Sequence, residues 1–97
     1  MGLKVKPMCV YCGAEDTLTI DHVVPLSRWR EFGIARRVLD NKSNRVLACR
    51  KCNLEKGKLS PRAWFKRHPE YRARFMHHAR FLSDTIRALV DYDVGDE

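Results

Sequence analysis

The chain has 97 residues, of which 44% are hydrophobic and 32% are charged, and its net charge is +7. This length suits one domain with a modest core, and domains so short often depend on a bound metal, a disulfide or a partner. No apolar run approaches the roughly 18 residues of a membrane-spanning helix, and residues 1–7 lack the apolar core of a signal peptide. These features exclude a helical membrane protein and lead us to expect a cytoplasmic location.

The charge is unevenly distributed along the chain. Residues 91–97 carry four acids and no base, whereas residues 1–90 carry all 19 Lys and Arg residues against 8 acids, a net charge of +11. This surplus favours a polyanionic partner, because each phosphate that Lys or Arg neutralises releases counterions. A basic surface without a nucleic-acid role is the alternative interpretation.

The first recognisable element is a cysteine pair, which recurs later in the chain. Cys9 and Cys12 form one C-x-x-C pair, and Cys49 and Cys52 form a second. Two such turns can point four thiolates at one ion, and in a reducing compartment this spacing favours a metal over disulfides. We predict structural zinc, because four cysteine ligands leave no open coordination position. Two disulfides or an iron–sulfur site are the alternatives.

Between and around the cysteines, the residue pattern predicts a small mixed unit. β-Branched side chains indicate strands, and Gly57 indicates a helix end. In chain order, the predicted elements are a strand over 17–24, an irregular polar loop over 26–44 with a helical turn around 34–39 and a strand over 45–48. Residues 49–58 are predicted to begin as the second cysteine turn and to continue as a helix.

Two helices are predicted after this unit. Ser60 and Pro61 form a helix-start signal, and the helix is expected to end at Arg67, because the residue before a proline disfavours helical geometry. A longer helix is predicted from Pro69 to Tyr92. Its apolar residues recur at steps of three and four, which predicts packing against the core, with a dimer contact as the alternative. They are Tyr71, Phe75, Ala79, Leu82, Ile86, Leu89 and Val90.

A group of polar residues in the mixed unit could carry phosphodiester hydrolysis. This reaction needs a nucleophilic water, a base and a cation at the leaving oxygen. His22 suits the base near neutral pH, and Asp21 and Asn53 offer hard oxygen ligands. Neighbouring strand residues face opposite sides, so Asp21 and His22 would need a bend to share a site. Candidate phosphate-binding residues are Arg28, Arg45, Arg50, Lys51 and Lys56.

These residues, in their order, resemble the HNH endonuclease family, whose core is the ββα-metal fold. The resemblance covers residues 9–57: CVYC at 9–12 is similar to the first knuckle, and LTIDHVVPLSR at 18–28 to the first motif strand. Residues 44–57 are similar to the middle Asn, second strand, second knuckle and motif helix.

The resemblance implies a role for each matching position. His22 corresponds to the general base, and Asp21 and Asn53 to the protein ligands of one catalytic divalent ion. Asn44 corresponds to the residue that braces the loop and orients the base, and Lys56 to a basic position on the motif helix. Asn53 replaces the family's final His, so we expect Mg²⁺ or Mn²⁺ in preference to Zn²⁺ or Ni²⁺.

The sequence thus predicts a single α+β domain over residues 1–97. Its parts are a zinc-stabilised ββα-metal core at 9–57, a C-terminal helical extension at 60–92 and an acidic tail at 93–97. The predicted activity is metal-dependent cleavage of duplex DNA, by nicking or with weak sequence specificity, because no separate recognition domain is evident. We expect a monomer or weak homodimer, with a targeting partner protein and a phage or mobile-element role as open possibilities. The alternative is a non-catalytic zinc-ribbon module that binds nucleic acid.

Overall fold

A computed structural model of the chain describes residues 6–95, so Asp96 and Glu97 of the predicted acidic tail lie outside the described residues. In chain order, the helices and strands are β1 (Leu18–His22), α1 (Trp29–Phe32), α2 (Arg36–Leu39), β2 (Arg45–Cys49), α3 (Arg50–Lys56), α4 (Pro61–Arg67), α5 (Pro69–His78) and α6 (Asp84–Leu89). None of the helices over residues 6–95 is long and apolar enough to cross a membrane.

The two strands and α3 form a ββα unit, which confirms the predicted α+β fold. β1 and β2 pair antiparallel in a two-stranded sheet, with Asp21 opposite Val46 and His22 opposite Arg45. Directly opposed residues point to the same face of a sheet, so Asp21 lies on one face and His22 on the other. α3 follows β2 without a loop and packs against both strands.

The segment between the strands is more ordered than the sequence predicted. It contains α1 and α2 and two short 3-10 turns, Leu26–Arg28 and Lys42–Asn44, instead of a single helical turn. Phe32 and Leu39 are buried, and the packing of these two side chains holds in place a segment whose other residues are mainly polar.

α4 has the predicted bounds, but the long helix predicted over residues 69–92 is wrong. α5 ends at His78, and α6 begins at Asp84, after Ser83 accepts a hydrogen bond from the backbone N–H of Ile86 at 3.2 Å. The apolar stripe nevertheless faces the core, because its residues on both sides of the break are buried. Its buried members are Phe75, Ala79, Leu82, Ile86 and Val90.

An aromatic cluster joins the cysteine-bearing unit to the C-terminal helices. Tyr11, between the first two cysteines, is fully buried, and its ring centroid lies 5.4, 5.9 and 5.8 Å from those of Trp64, Phe65 and Phe75. Arg74 of α5 donates to the backbone oxygen of Tyr11 at 3.1 Å. The helices therefore complete the core of the ββα unit.

Candidate metal centres and catalytic cleft

The four cysteines come together at the base of the ββα unit. Their sulfur atoms all lie within 4.8 Å of one another, and those of Cys12 and Cys49 are 3.6 Å apart. A tetrahedron of four bonds of about 2.3 Å places its sulfurs roughly 3.8 Å apart. The predicted cluster is thus confirmed as one that could hold a metal ion.

Local backbone geometry prepares this cluster for an ion. The N–H groups of Cys12 and Cys52 donate to the sulfurs of Cys9 and Cys49 at 3.5 and 3.4 Å, and Gly13 takes the left-handed conformation (φ 83°) that closes the first turn. Burial raises the pKa of the Cys12 and Cys52 thiols, so a bound ion must displace their protons.

A separate cleft of about 300 Å³ brings together three of the predicted catalytic residues. Asp21, His22 and Asn53 all line it, although the first two leave the strand on opposite faces. They share the cleft because His22 is the last residue of β1, where the chain leaves the sheet. The remaining lining residues are Ile20, Pro25, Leu26, Ser27, Gly57 and Lys58.

A second opening of about 410 Å³ lies beyond Ile20 and has a mainly apolar lining that includes Leu47, Phe81 and Leu82. No carboxylate or cysteine is among the described residues that line it. The described part of this opening therefore offers neither a carboxylate nor a thiolate to a metal ion.

Asp21 is held at the back of the cleft by two buried donors. Its side chain is 5% exposed, the Tyr11 hydroxyl donates to its Oδ2 at 2.6 Å, and the Lys56 ammonium donates to its Oδ1 at 3.3 Å. Burial, together with the charge of Asp21, raises the pKa of Tyr11 well above its usual value. The tyrosine therefore remains a neutral donor at any ordinary pH.

Lys56 does not have the phosphate-binding position that the sequence suggested. It is 1% exposed, and besides Asp21 its ammonium donates to the backbone oxygen of His22 at 2.9 Å. Burial lowers the pKa of Lys56, and the charge of Asp21 opposes this shift. Lys56 is therefore a buried counter-ion of Asp21, and its ammonium group is not accessible to a phosphate at the surface.

His22 lies between the cleft and Asp40. Its side chain is 26% exposed, but its Nε2 is buried and has no hydrogen bond to any described residue, although Asp40 Oδ1 is 3.4 Å away. Arg45 donates to the same carboxylate oxygen at 3.2 Å, and this bond lowers the pKa of Asp40. Asp40 was not predicted, because it lies in an irregular segment with no recognisable spacing to His22.

The two asparagines make different contacts. Asn44 is fully buried, where its side chain accepts from Val24 N at 3.0 Å and donates to the backbone oxygens of Val24 and Leu39, each at 2.9 Å. Asn53 donates to Thr19 Oγ1 at 2.8 Å and to the backbone oxygen of Ile20 at 3.2 Å. Its amide nitrogen therefore faces β1, and its carbonyl oxygen is turned away from the strand.

Of the remaining predicted basic residues, Arg28 lies beside the cleft, where it donates to the backbone oxygen of Lys58 at 3.1 Å, and the others do not line it. Arg28 pairs with Glu31 at 2.6 Å, and Arg45 pairs with Asp40. Arg50 and Lys51 line a different depression, beside the cysteine cluster. Lys58 lines the cleft, although it was not among the predicted phosphate-binding residues.

The family model for HNH endonuclease matches residues 9–59. That range is more than half of the chain and contains both cysteine pairs, both strands and α3. No curated protein and no solved structure matches the chain. From the match and the ββα unit that carries it, we conclude that the chain belongs to the HNH endonuclease family.

Proposed function

We propose that this protein is a metal-dependent endonuclease that hydrolyses phosphodiester bonds in duplex DNA. The observation that carries the proposal is that His22, Asp21 and Asn53 line one cleft. The chain that forms this cleft belongs to a family of nucleases. A base and two hard oxygen ligands are the groups that this hydrolysis requires of the protein.

The proposed ion at the four cysteines is zinc with a structural role. Thiolates suit zinc, and four of them leave no position for water or substrate. The cluster includes the last residue of β2 and a residue of α3, so an ion there would hold the motif helix against the sheet.

The donors in the cleft fit a hard divalent ion. A carboxylate and an amide oxygen are ligands that Mg²⁺ and Mn²⁺ accept, and two protein ligands leave positions for water and phosphate. The Lys56 ammonium, 3.3 Å from Asp21, repels a second cation and should lower the affinity of Asp21 for the divalent ion. When bound, the ion would supply positive charge at the departing oxygen.

His22 is the proposed general base. It takes a proton from water, the water oxygen bonds to phosphorus, and the bond from phosphorus to the 3′ oxygen breaks, which leaves a 5′-phosphate. Nε2 is buried, with the Asp40 carboxylate 3.4 Å away, so Nδ1 is the nitrogen proposed to accept the proton. Asn44 is the proposed positioning residue, because it ties the chain after β1 to the end of α2.

Arg28, Arg45, Arg50 and Lys51 are the proposed contacts to the DNA backbone. Contacts to phosphate fix position without reading sequence, so we propose weak specificity or nicking by a monomer. A dimer would cut both strands, and a targeting partner protein would add sequence specificity.

One observation favours a second candidate function. The Asp21 carboxylate already has two buried hydrogen-bond donors, as a purely structural acid would have. A non-catalytic zinc-ribbon module that binds nucleic acid would use the cysteine cluster and basic surface and leave the cleft unused.

Cleavage of supercoiled plasmid separates the two functions. We expect conversion to the nicked form with Mg²⁺ or Mn²⁺, none without an added divalent ion, and a loss of roughly a hundredfold or more in His22→Ala. His77→Ala, which changes an exposed histidine of α5, is the matched control and should cut normally. If wild-type protein binds the plasmid but never cuts it, the zinc-ribbon module is the correct function.

A further inference from the structure

Tyr11 connects the cysteine cluster to the proposed metal ligand. It lies between Cys9 and Cys12 in sequence, and its hydroxyl reaches across to Asp21 Oδ2 at 2.6 Å. Both side chains are almost completely buried, so water does not compete for this hydrogen bond.

The C-terminal helices hold the Tyr11 ring in place. Phe75 of α5 stacks on the ring at an interplanar angle of 8°, and Trp64 and Phe65 of α4 contact its edges. Arg74 fixes the backbone of the same residue. These four residues lie beyond the segment that matches the family.

The hydrogen bonds distinguish the two oxygens of Asp21. Oδ2 accepts from Tyr11 and lies 3.3 Å from the Lys56 ammonium, whereas Oδ1 accepts from Lys56 alone. A carboxylate oxygen accepts about two hydrogen bonds, so Oδ1 retains capacity for an ion. Lys56 lies equally far from both oxygens, at 3.3 Å, so without the tyrosine hydroxyl no donor among the described residues would distinguish them and the carboxylate could rotate.

We infer that Tyr11 is a positioning residue that sets the orientation of Asp21 for the catalytic divalent ion, and that α4 and α5 act on the cleft through its ring. This inference rests on the proposed function. Residues that hydrogen-bond to a metal ligand orient it, and their loss typically weakens metal affinity by roughly ten- to a hundredfold.

The test is Mn²⁺ binding to zinc-loaded protein, measured from the electron paramagnetic resonance signal of free Mn²⁺. Tyr11→Phe retains the ring and removes the hydroxyl, and we expect Mn²⁺ affinity to fall by roughly tenfold. The Mn²⁺ concentration for half-maximal plasmid cleavage should rise equally, with zinc content and the maximal rate near wild type. Ile86→Val, on the buried face of α6 and outside the ring cluster around Tyr11, should lower the melting temperature and leave Mn²⁺ affinity unchanged.

Asp21→Asn separates failure of the inference from failure of the proposed function. If this variant loses Mn²⁺ binding and Tyr11→Phe binds as tightly as wild type, the inference is overturned and the metal site stands. If Asp21→Asn also binds as tightly as wild type, the proposed metal site itself is wrong. Should Tyr11→Phe fail to fold, Arg74→Met decides, because it releases only the Tyr11 backbone: weaker Mn²⁺ binding supports the inference, and wild-type binding contradicts it.

Discussion

Asp21 and Lys56 are two charged residues that the fold removes almost completely from water. Buried ion pairs are usually no more stabilising than packed apolar side chains of similar size, because desolvation offsets their attraction. Stability is therefore a weak explanation for this pair. The more direct consequence of the pair is that it helps to hold the Asp21 carboxylate in one orientation on the wall of the cleft.

Asn44 should contribute more to stability than its small side chain suggests. Asn44→Ala would leave the N–H of Val24 and the carbonyls of Val24 and Leu39 without their partner, in a fully buried position. Each orphaned group costs about 1–3 kcal/mol. We expect the free energy of unfolding, from urea denaturation of zinc-loaded protein, to fall by at least about 2 kcal/mol.

Asn41→Ala is the matched control for this prediction. Asn41 is exposed and accepts one hydrogen bond, from Ser43 N at 3.0 Å, so its loss should cost about 1 kcal/mol or less. If both substitutions lowered the free energy of unfolding equally, the buried hydrogen bonds of Asn44 would contribute no more to stability than the exposed hydrogen bond of Asn41.

Only those residues of the candidate site that belong to a local sequence motif could be predicted from the sequence. His22 and Asn53 are recognisable because each lies at a fixed distance from a strand or a cysteine pair. The hydrogen bonds from Tyr11 and Lys56 to Asp21 join residues 10 and 35 positions apart, and no periodicity links them. Long-range side-chain pairing of this kind requires the fold.

The same distinction between local and long-range signals holds for the helices and strands. The start of α4 was predicted because Ser60 and Pro61 are a local signal, and Ser60 caps the helix at 3.1 Å. The break between α5 and α6 was missed because the apolar spacing continues across it. Ser83 and Asp84 carried a helix-start signal that the continuing stripe concealed.

Cys49→Ser should prevent folding of the ββα unit. Cys49 is both a member of the cysteine cluster and the N-cap of α3, where its sulfur accepts from Cys52 N. Serine can still cap the helix, so the variant removes mainly the metal ligand. Structural zinc supplies roughly 10–16 kcal/mol, as much as the whole stability of a small domain. We expect loss of bound zinc and of helical circular dichroism.

The control for this prediction is Ser60→Ala, which removes a helix cap and leaves the cysteines intact. It should lower the free energy of unfolding by about 1 kcal/mol with full zinc content. A Cys49→Ser protein that retained a wild-type melting curve would contradict a folding role for the metal.

On the scale of the whole molecule, the excess of positive charge should make DNA binding strongly dependent on salt. Each phosphate contact contributes about −0.9 to the slope of log K against log salt concentration. If Arg50 and Lys51, both exposed beside the cysteine cluster, contact phosphate, their joint replacement by Ala should make the slope shallower by roughly 2. Fluorescence anisotropy of a labelled duplex without divalent ions measures this slope.

Arg72→Ala is the matched control, because Arg72 is paired with Asp91 at 2.6 Å on the C-terminal helices. Its replacement should leave the slope unchanged. An unchanged slope in the Arg50 and Lys51 variant would remove this surface from the DNA interface.

The seven residues of α3 carry a member of the cysteine cluster, an amide of the cleft and the counter-ion of Asp21: Cys52, Asn53 and Lys56. Successive helix residues point about 100° apart, so a residue inserted between Cys52 and Asn53 would turn Asn53 out of the cleft. A residue inserted or deleted between Asn53 and Lys56 would turn Lys56 away from Asp21. The spacing within this helix is therefore a length constraint on any variant or descendant of the chain. Changes in length can be accommodated instead in the exposed part of the segment between α1 and β2.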